Sequence, residues 1–181
     1  MSNKKDLLLI VGLSGSGKST ILNHCENIGI PNFYTGEIIP SSVSEKSKIN
    51  YGDSLKEESS FISMAIEAAY EKYPEEDTLI IDSIRSLPEL EYVKNIDCNS
   101  YLIALVCNYE TRIRRVGSRD GENVSRVHFR DQKELGLIEG SKFNTGALIG
   151  FADYYLDNSG KLEDSCHKLN EIIENIHYKR S

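Results

Sequence analysis

Apolar residues along the chain fall into two patterns that alternate from one end to the other. Continuous apolar runs, such as Leu7 to Val11 and Tyr101 to Cys107, predict strands that are covered on both faces of a sheet. Shorter strands are predicted at Asn32 to Thr35, Thr78 to Ile81 and Ala152 to Leu156. The sequence therefore predicts five strands in a parallel sheet.

Between these runs, apolar positions recur every three or four residues, which predicts helices. Ser54 to Tyr73 and Leu162 to Ile176 have this spacing, and Pro74 ends the first of them. Shorter helices are predicted at 18–28, 88–94, 111–117 and 124–135, with a break from Gly117 to Gly121. Alternating strands and helices indicate an α/β fold with helices on both faces of the sheet. No linker is long enough to divide residues 1–181 into two domains.

The segment after the first strand, Gly12-Leu-Ser-Gly-Ser-Gly-Lys-Ser19, fits the pattern G-x-x-x-x-G-K-[ST] at every fixed position. Its glycines let backbone N–H groups point at phosphate oxygens, and the following helix adds the positive end of its dipole. Lys18 neutralises phosphate charge, and the Ser19 hydroxyl is a ligand for Mg²⁺. We therefore predict a three-layer P-loop NTPase fold with ATP and Mg²⁺ as cofactors. The expected phosphate-binding residues are Gly12, Leu13, Ser14, Gly15, Ser16, Gly17, Lys18, Ser19 and Thr20.

A second apolar strand ends on an acidic residue, Asp82. In P-loop proteins a carboxylate at this position holds Mg²⁺, usually through water, although an aspartate there also serves to cap the next helix. Arg85 follows three residues later and enters the same cleft, where its planar guanidinium suits a phosphate contact. The alternative for Arg85 is an ordinary surface arginine.

Six arginines fall within nineteen residues of a chain whose net charge is −7. The cluster follows a predicted core strand, where open α/β sheets bind their substrates. A solvated helical face held by salt bridges is the alternative. Because phosphoryl transfer depends on positioning and charge neutralisation, we predict a helical arginine-rich lid at about 111–136. The arginines are Arg112, Arg114, Arg115, Arg119, Arg126 and Arg130, and the expected catalytic residues are Lys18, Arg119, Arg126 and Arg130.

The acidic balance argues against broad binding to nucleic acid or to an anionic membrane. No stretch approaches the roughly 20 apolar residues of a membrane span. The four cysteines form no C-x-x-C pair and indicate reduced thiols. We expect a cytoplasmic protein that is monomeric or homodimeric.

Together these motifs resemble those of nucleoside monophosphate kinases and, in part, of dephospho-coenzyme A kinases. Thr35-Gly-Glu-Ile-Ile39 resembles the T-G-D-L-L segment of adenylate kinases, and Asp82-Ser-Ile-Arg85 resembles a shortened D-G-x-P-R. Arg115-Val-Gly-Ser-Arg119 is similar to the R-x-x-x-R pair at the lid entrance. The stretch 152–160 resembles the A-D-x-V-I-x-N-x-G stretch near the adenine site of dephospho-coenzyme A kinases.

Within this branch, Arg130-Asp131 and Glu134-Leu-Gly136 together with the D-x-I-R-S form are most similar to archaeal and bacterial adenylate kinase-like P-loop proteins. The resemblance implies that Arg115 and Asn158 contact the nucleotide. It also implies an acceptor-site region at about 36–73, with the substrate-binding residues Thr35, Gly36, Glu37 and Arg85.

Two departures from this pattern concern the acceptor side. Pro40 stands where adenylate kinases have an arginine, and Ser83 replaces the glycine of D-G. Lys46, Lys48 or Arg85 is a candidate replacement for the missing arginine. The resemblance implies a phosphotransferase acting on a nucleoside or deoxynucleoside monophosphate, or on dephospho-coenzyme A, so the expected partner is a small phosphorylated acceptor. An ATP-binding regulatory module with little turnover is the alternative of another class, and the absence of an N-K-x-D motif argues against a GTPase.

Overall fold

A parallel sheet lies at the centre of the computed structural model, which describes residues 4–39, 60–120 and 124–180. The strands are β1 Asp6–Val11, β2 Asn32–Tyr34, β3 Thr78–Asp82, β4 Asn99–Val106 and β5 Tyr154–Asp157. Their order across the sheet is β2-β3-β1-β4-β5, and all neighbouring strands are parallel. The predicted five-stranded parallel sheet is confirmed.

Helices connect the strands in the described ranges. They are α1 Lys18–Asn27, α2 Ser60–Lys72, α3 Leu87–Asn95, α4 Tyr109–Asp120, α5 Val124–Glu134, α6 Thr145–Gly150 and α7 Leu162–Arg180, and a short 3₁₀ helix, Thr35–Ile38, follows β2. Helix α6 was not predicted, because six residues with two glycines are too short for a periodic pattern.

Side chains of β1 alternate between two apolar layers. Leu7 and Leu9 pack in a cluster with α2 and α3, whereas Leu8 and Ile10 pack in a second cluster with α1 and α7. Every residue of β1 is buried, which explains why its sequence is a continuous apolar run. The predicted three-layer arrangement is confirmed.

Two helices have other bounds in the structure than the sequence predicts. The predicted break from Gly117 is wrong, because α4 continues through Gly117 to Asp120. A helical glycine costs about 1 kcal/mol, and the buried residues Arg112 and Val116 hold this helix against the rest of the fold. The predicted helix from residue 54 is confirmed from Ser60 onward, and residues 54–59 lie outside the described residues. Pro40, Lys46 and Lys48, which concern the predicted acceptor side, also lie outside them. None of the helices in the described ranges is both long enough and apolar enough to cross a membrane.

Strand register positions the candidate site. Ile10 pairs with Asp82 of β3, and Val11 pairs with Ala104 of β4. The loop that leaves β1 therefore begins between the carboxyl ends of two neighbouring strands. Open α/β sheets bind ligands in such a crevice.

Candidate functional site

The loop from Gly12 to Ser19 has the backbone that its glycines predict. Gly15 has φ 80°, and Gly17, the N-cap of α1, has φ 95°, both in the left-handed region. A Cβ added to Gly15 would lie 2.8 Å from the carbonyl oxygen of Arg112. Backbone conformation and close packing therefore both require glycine at residue 15.

A cavity of about 760 Å³, here called the first cavity, opens at this loop. The structure brings together in it nine residues that the sequence predicted for the site, along with three others. Its lining consists of Ser14, Gly15, Gly17, Lys18, Ser19, Thr20, Tyr34, Asp82, Ser83, Arg85, Arg115 and Val116. Lys18 Nζ donates a hydrogen bond to the Gly12 carbonyl oxygen at 2.5 Å. The first cavity thus combines loop N–H groups, a lysine and two arginines, which suits a polyphosphate.

Ser19 and Asp82 supply oxygen donors to this cavity. Hydroxyl and carboxylate oxygens fit Mg²⁺, which takes its remaining ligands from water and substrate phosphates. The described residues contain no group of three or more His, Cys, Asp or Glu side chains that could hold a metal ion. The Ser83 hydroxyl donates a hydrogen bond to Asp82 Oδ1.

Ser83 itself has an unusual backbone. Its φ of 143° makes it the non-glycine residue with positive φ in the described chain. Glycine occupies this position in the D-G pattern that the segment resembles. The serine thus adopts a conformation that favours glycine, immediately after the carboxylate of Asp82.

A second cavity of about 840 Å³ adjoins the first. Four cationic side chains and three aromatic rings line it together with two serines and one carboxylate. These residues are Ser14, Tyr34, Arg85, Ser125, Arg126, Phe129, Arg130, Lys133, Glu134 and Phe143. Ser14, Tyr34 and Arg85 line both cavities, so the two spaces meet at these residues.

The structure separates the predicted lid arginines. Arg115 lines the first cavity, whereas Arg126 and Arg130 line the second. The side chain of Arg119 lies outside the described part of the chain. Arg112 is buried and ion-paired with Asp131, so it belongs to the packing of the fold and lines neither of these two cavities.

Arg112 forms a buried ion pair with Asp131 of α5. Its Nη1 and Nη2 lie 2.8 Å and 2.7 Å from the two Asp131 carboxylate oxygens, and both side chains are at most one-tenth exposed. The hydrogen bonds to Asp131 raise the pKa of Arg112 above its ordinary value. Arg112 Nη1 also donates to the Ser14 carbonyl oxygen at 3.0 Å. This arginine therefore joins α4, α5 and the phosphate loop.

Glu134, the last residue of α5, holds Ser14 from another side. The Ser14 N–H donates to Glu134 Oε2 at 2.8 Å, and the Ser14 hydroxyl donates to Oε1 at 2.6 Å. A carboxylate therefore lies directly against the phosphate loop, at the boundary between the two cavities.

Arg85 is fixed at the same boundary. Its backbone N–H donates to Glu89 Oε2 at 2.6 Å, its carbonyl accepts from the Asn144 N–H at 2.7 Å, and its guanidinium lies 5.4 Å from the centre of the Phe143 ring. Arg85 thus lines the same cavity as Asp82, and its contact with a phosphate stays a prediction. Ser86, which follows, caps α3 in a capping box with Glu89.

Asn158 is hydrogen-bonded to the backbone of the phosphate loop. Its Nδ2 donates to the Ser16 carbonyl oxygen at 2.8 Å, and its Oδ1 accepts from the Ser165 hydroxyl at 2.9 Å. Asn158 is 2% exposed, so it holds the loop in position. Its contact with a nucleotide stays a prediction.

Tyr34, the last residue of β2, lines both cavities. Thr35 is buried, a Cβ on Gly36 would meet the Tyr34 ring, and Glu37 Oε2 is paired with Lys72 Nζ at 2.8 Å. Substrate contacts by Thr35, Gly36 and Glu37 stay predictions.

Comparison with known proteins places the chain in a family. Residues 8–135 match the AAA domain. A UPF0200 protein of Methanococcus maripaludis (strain C7) is 31% identical over 184 residues, which cover 94% of this chain and 97% of the relative. The chain belongs to the UPF0200 family. A UPF0200 protein of Staphylothermus marinus is 25% identical over an aligned region that covers 94% of this chain and 92% of the relative.

Solved structures share the fold at low sequence identity. A shikimate kinase from Acinetobacter baumannii, in complex with shikimate, has a TM-score of 0.59 at 16% identity. The superimposed region covers 95% of this chain and 94% of the kinase chain. A gluconokinase from Sinorhizobium meliloti also has a TM-score of 0.59 at 16% identity, covering 96% and 97%. This UPF0200 chain therefore has a P-loop kinase fold, as predicted.

Several residues of the site went unrecognised in the sequence. Glu134 appeared only as part of a resemblance, and Tyr34, Phe129 and Phe143 received no role. The available signal for Glu134 was a carboxylate at the end of an arginine-rich helix, which is too common to single out a residue.

Proposed function

We propose that this UPF0200 protein is an ATP-dependent phosphotransferase whose acceptor is nucleotide-like and anionic. The observation that carries the proposal is the pair of adjoining cavities that share Ser14, Tyr34 and Arg85. One has the chemistry of a polyphosphate site and the other has the chemistry of an anion site. A kinase needs two such spaces in contact, because the phosphoryl group passes directly from donor to acceptor.

The first cavity suits ATP as phosphoryl donor. The N–H groups of the loop and Lys18 would bind its phosphates, and Arg115, which lines the same cavity, adds positive charge. Ser19 and Asp82 would hold Mg²⁺, which neutralises phosphate charge when bound. Arg85, shared by both cavities, is placed to neutralise charge on the transferring group.

The second cavity suits an acceptor with both a ring and an anionic group. Arg126, Arg130 and Lys133 would bind a phosphate or carboxylate, with the arginines able to do so in a bidentate manner. Phe129 is 61% exposed and Tyr34 is 48% exposed, so both offer open aromatic faces. A nucleoside or deoxynucleoside monophosphate and dephospho-coenzyme A combine these groups.

The experiment is acceptor-dependent conversion of ATP to ADP by the purified protein with Mg²⁺. The panel contains AMP, CMP, GMP, UMP, dTMP and dephospho-coenzyme A, with shikimate and gluconate added because two structural neighbours are kinases named for these acids. We expect at least one acceptor to raise ADP formation more than tenfold above the acceptor-free rate. Tight ATP binding without acceptor-dependent turnover would contradict the proposal and favour an ATP-binding regulatory module.

A further inference from the structure

Glu134 is the carboxylate among the described residues that line the second cavity, where the other charged side chains are Arg85, Arg126, Arg130 and Lys133. It lies where the two cavities meet, because its carboxylate is hydrogen-bonded to Ser14, which lines both. The Glu134 carboxylate at that boundary would repel an anionic acceptor unless the acceptor presents a hydrogen-bond donor to it. The position of Glu134 therefore favours an acceptor whose reacting atom carries a hydrogen.

The two hydrogen bonds from Ser14 leave the Glu134 carboxylate able to accept a further hydrogen bond. Each carboxylate oxygen receives one hydrogen bond from Ser14, and an ionised carboxylate offers about four acceptor positions. Cations face this group from three other elements. Arg112 of α4 interacts with it electrostatically, and a small cavity of about 90 Å³ is lined by Glu134 together with Lys18 and Arg85. On its own helix, Asp131 is already paired with Arg112.

We propose that Glu134 is the general base of the reaction and that the acceptor reacts through a hydroxyl group. This rests on the proposed phosphotransferase function and narrows its acceptor to an alcohol with a separate anionic group. The hydroxyl proton passes to the Glu134 carboxylate while the oxygen forms a bond to the γ-phosphorus of ATP. The bond from that phosphorus to the β–γ bridging oxygen breaks, and ADP leaves with the electron pair. Protonated Glu134 then returns its proton to water.

A phosphate acceptor fits the same place less well. An ionised phosphate oxygen needs no base, and a carboxylate beside it adds repulsion at the point of transfer. A hydroxyl instead donates a hydrogen bond to Glu134, while its anionic group lies against Arg126 and Arg130.

The test compares E134Q with the wild-type protein. A glutamine keeps both contacts with Ser14, because its carbonyl accepts from the N–H and its amide donates to the hydroxyl oxygen, but it cannot act as a base. We expect kcat to fall about 10²–10⁴-fold, with the ATP Kd and the melting temperature near wild-type values. E139Q, which changes an exposed glutamate five residues away, should leave turnover unchanged.

The product gives an independent readout. Transfer to a hydroxyl yields an acid-stable phosphate monoester, whereas transfer to a phosphate yields an anhydride that acid hydrolyses, and ³¹P NMR separates the two. An anhydride product, or an E134Q kcat within tenfold of wild type, overturns the role of Glu134 while leaving the phosphotransferase intact. A parallel loss of ATP binding in E134Q shows a purely structural role. Absence of turnover with every acceptor in the wild-type protein overturns the proposed function and this inference together.

Discussion

At the scale of single residues, Lys18 carries the most direct test of nucleotide binding. Its ammonium lines the first cavity, where a polyphosphate would otherwise lack its main neutralising charge. In the wild-type protein, Mg-ATP at 100 times its Kd should add about 2.7 kcal/mol to the free energy of unfolding. K18A should lose most of this stabilisation in a thermal melt. K161A removes an exposed lysine and serves as control, and an unchanged ATP-dependent melting shift in K18A would contradict the assignment of the first cavity.

Ser83 offers a second residue-scale test, because its backbone conformation and its side chain can be separated. Both S83G and S83A lose the hydrogen bond to Asp82, but only glycine relieves the positive φ of 143°. A strained positive φ costs on the order of 1–3 kcal/mol, and glycine loses 0.5–1 kcal/mol through the unfolded chain. We expect S83G to be about 1 kcal/mol more stable than S83A in urea unfolding. Equal stability would show that the backbone at Ser83 carries no strain.

At the scale of elements, the buried pair of Arg112 and Asp131 fixes α5 against α4 and the phosphate loop. D131N leaves the guanidinium buried without its counter-charge and should destabilise the fold by about 3–5 kcal/mol. The double variant R112M/D131L removes both charges and should cost less than D131N alone. K168Q, which breaks the exposed ion pair with Glu171, should leave the melting temperature unchanged. A D131N protein as stable as K168Q would mean that the pair does not hold the two helices together.

The two arginines of α5 that line the second cavity should affect binding of the acceptor and not binding of ATP. Arg126 and Arg130 line the second cavity only, so R126Q and R130Q should each raise the KM of the acceptor about tenfold or more. The ATP Kd should stay within threefold of wild type in both variants. R114Q, on an exposed position of α4, is the matched control. Loss of ATP binding in R126Q or R130Q would place these arginines at the donor and argue against two separate cavities.

At the scale of the whole molecule, the parts that could be predicted are those fixed by local spacing. The phosphate loop and Asp82 follow from short motifs at the ends of buried strands, and the sheet follows from apolar runs. Glu134 could not be predicted in the same way, because 120 residues separate it from Ser14 and only the packing of α5 brings them together. Arg112 illustrates the same limit, since nothing in the sequence distinguishes this buried partner of Asp131 from the exposed Arg114 nearby.

Stability of the whole fold can be followed at Cys25, which lies in the buried face of α1, the helix that follows the phosphate loop. The thiol is 0% exposed, and burial raises its pKa from 9.0 to about 12. A thiolate is the reactive form, so at pH 8 labelling of Cys25 requires opening of the fold, whereas the partly exposed Cys166 should react sooner. Because the folded pKa is raised, the stability that the protonated thiol contributes is complete below pH 9 and is lost between pH 9 and about pH 12.

Labelling of Cys25 then connects the packing of α1 to the ligand. If α1 opens only with the whole fold, Mg-ATP at 100 times its Kd should slow modification of Cys25 about 100-fold, since bound protein cannot open. Peptide mass spectrometry after alkylation at pH 8 resolves each cysteine in one experiment. K18A should lose the protection by Mg-ATP but keep the order of reactivity between Cys25 and Cys166. Equal labelling of these two cysteines would contradict the burial of Cys25. Slow labelling of Cys25 that does not respond to Mg-ATP, in a protein whose melting temperature also does not respond, would instead show that the phosphate loop does not bind the nucleotide.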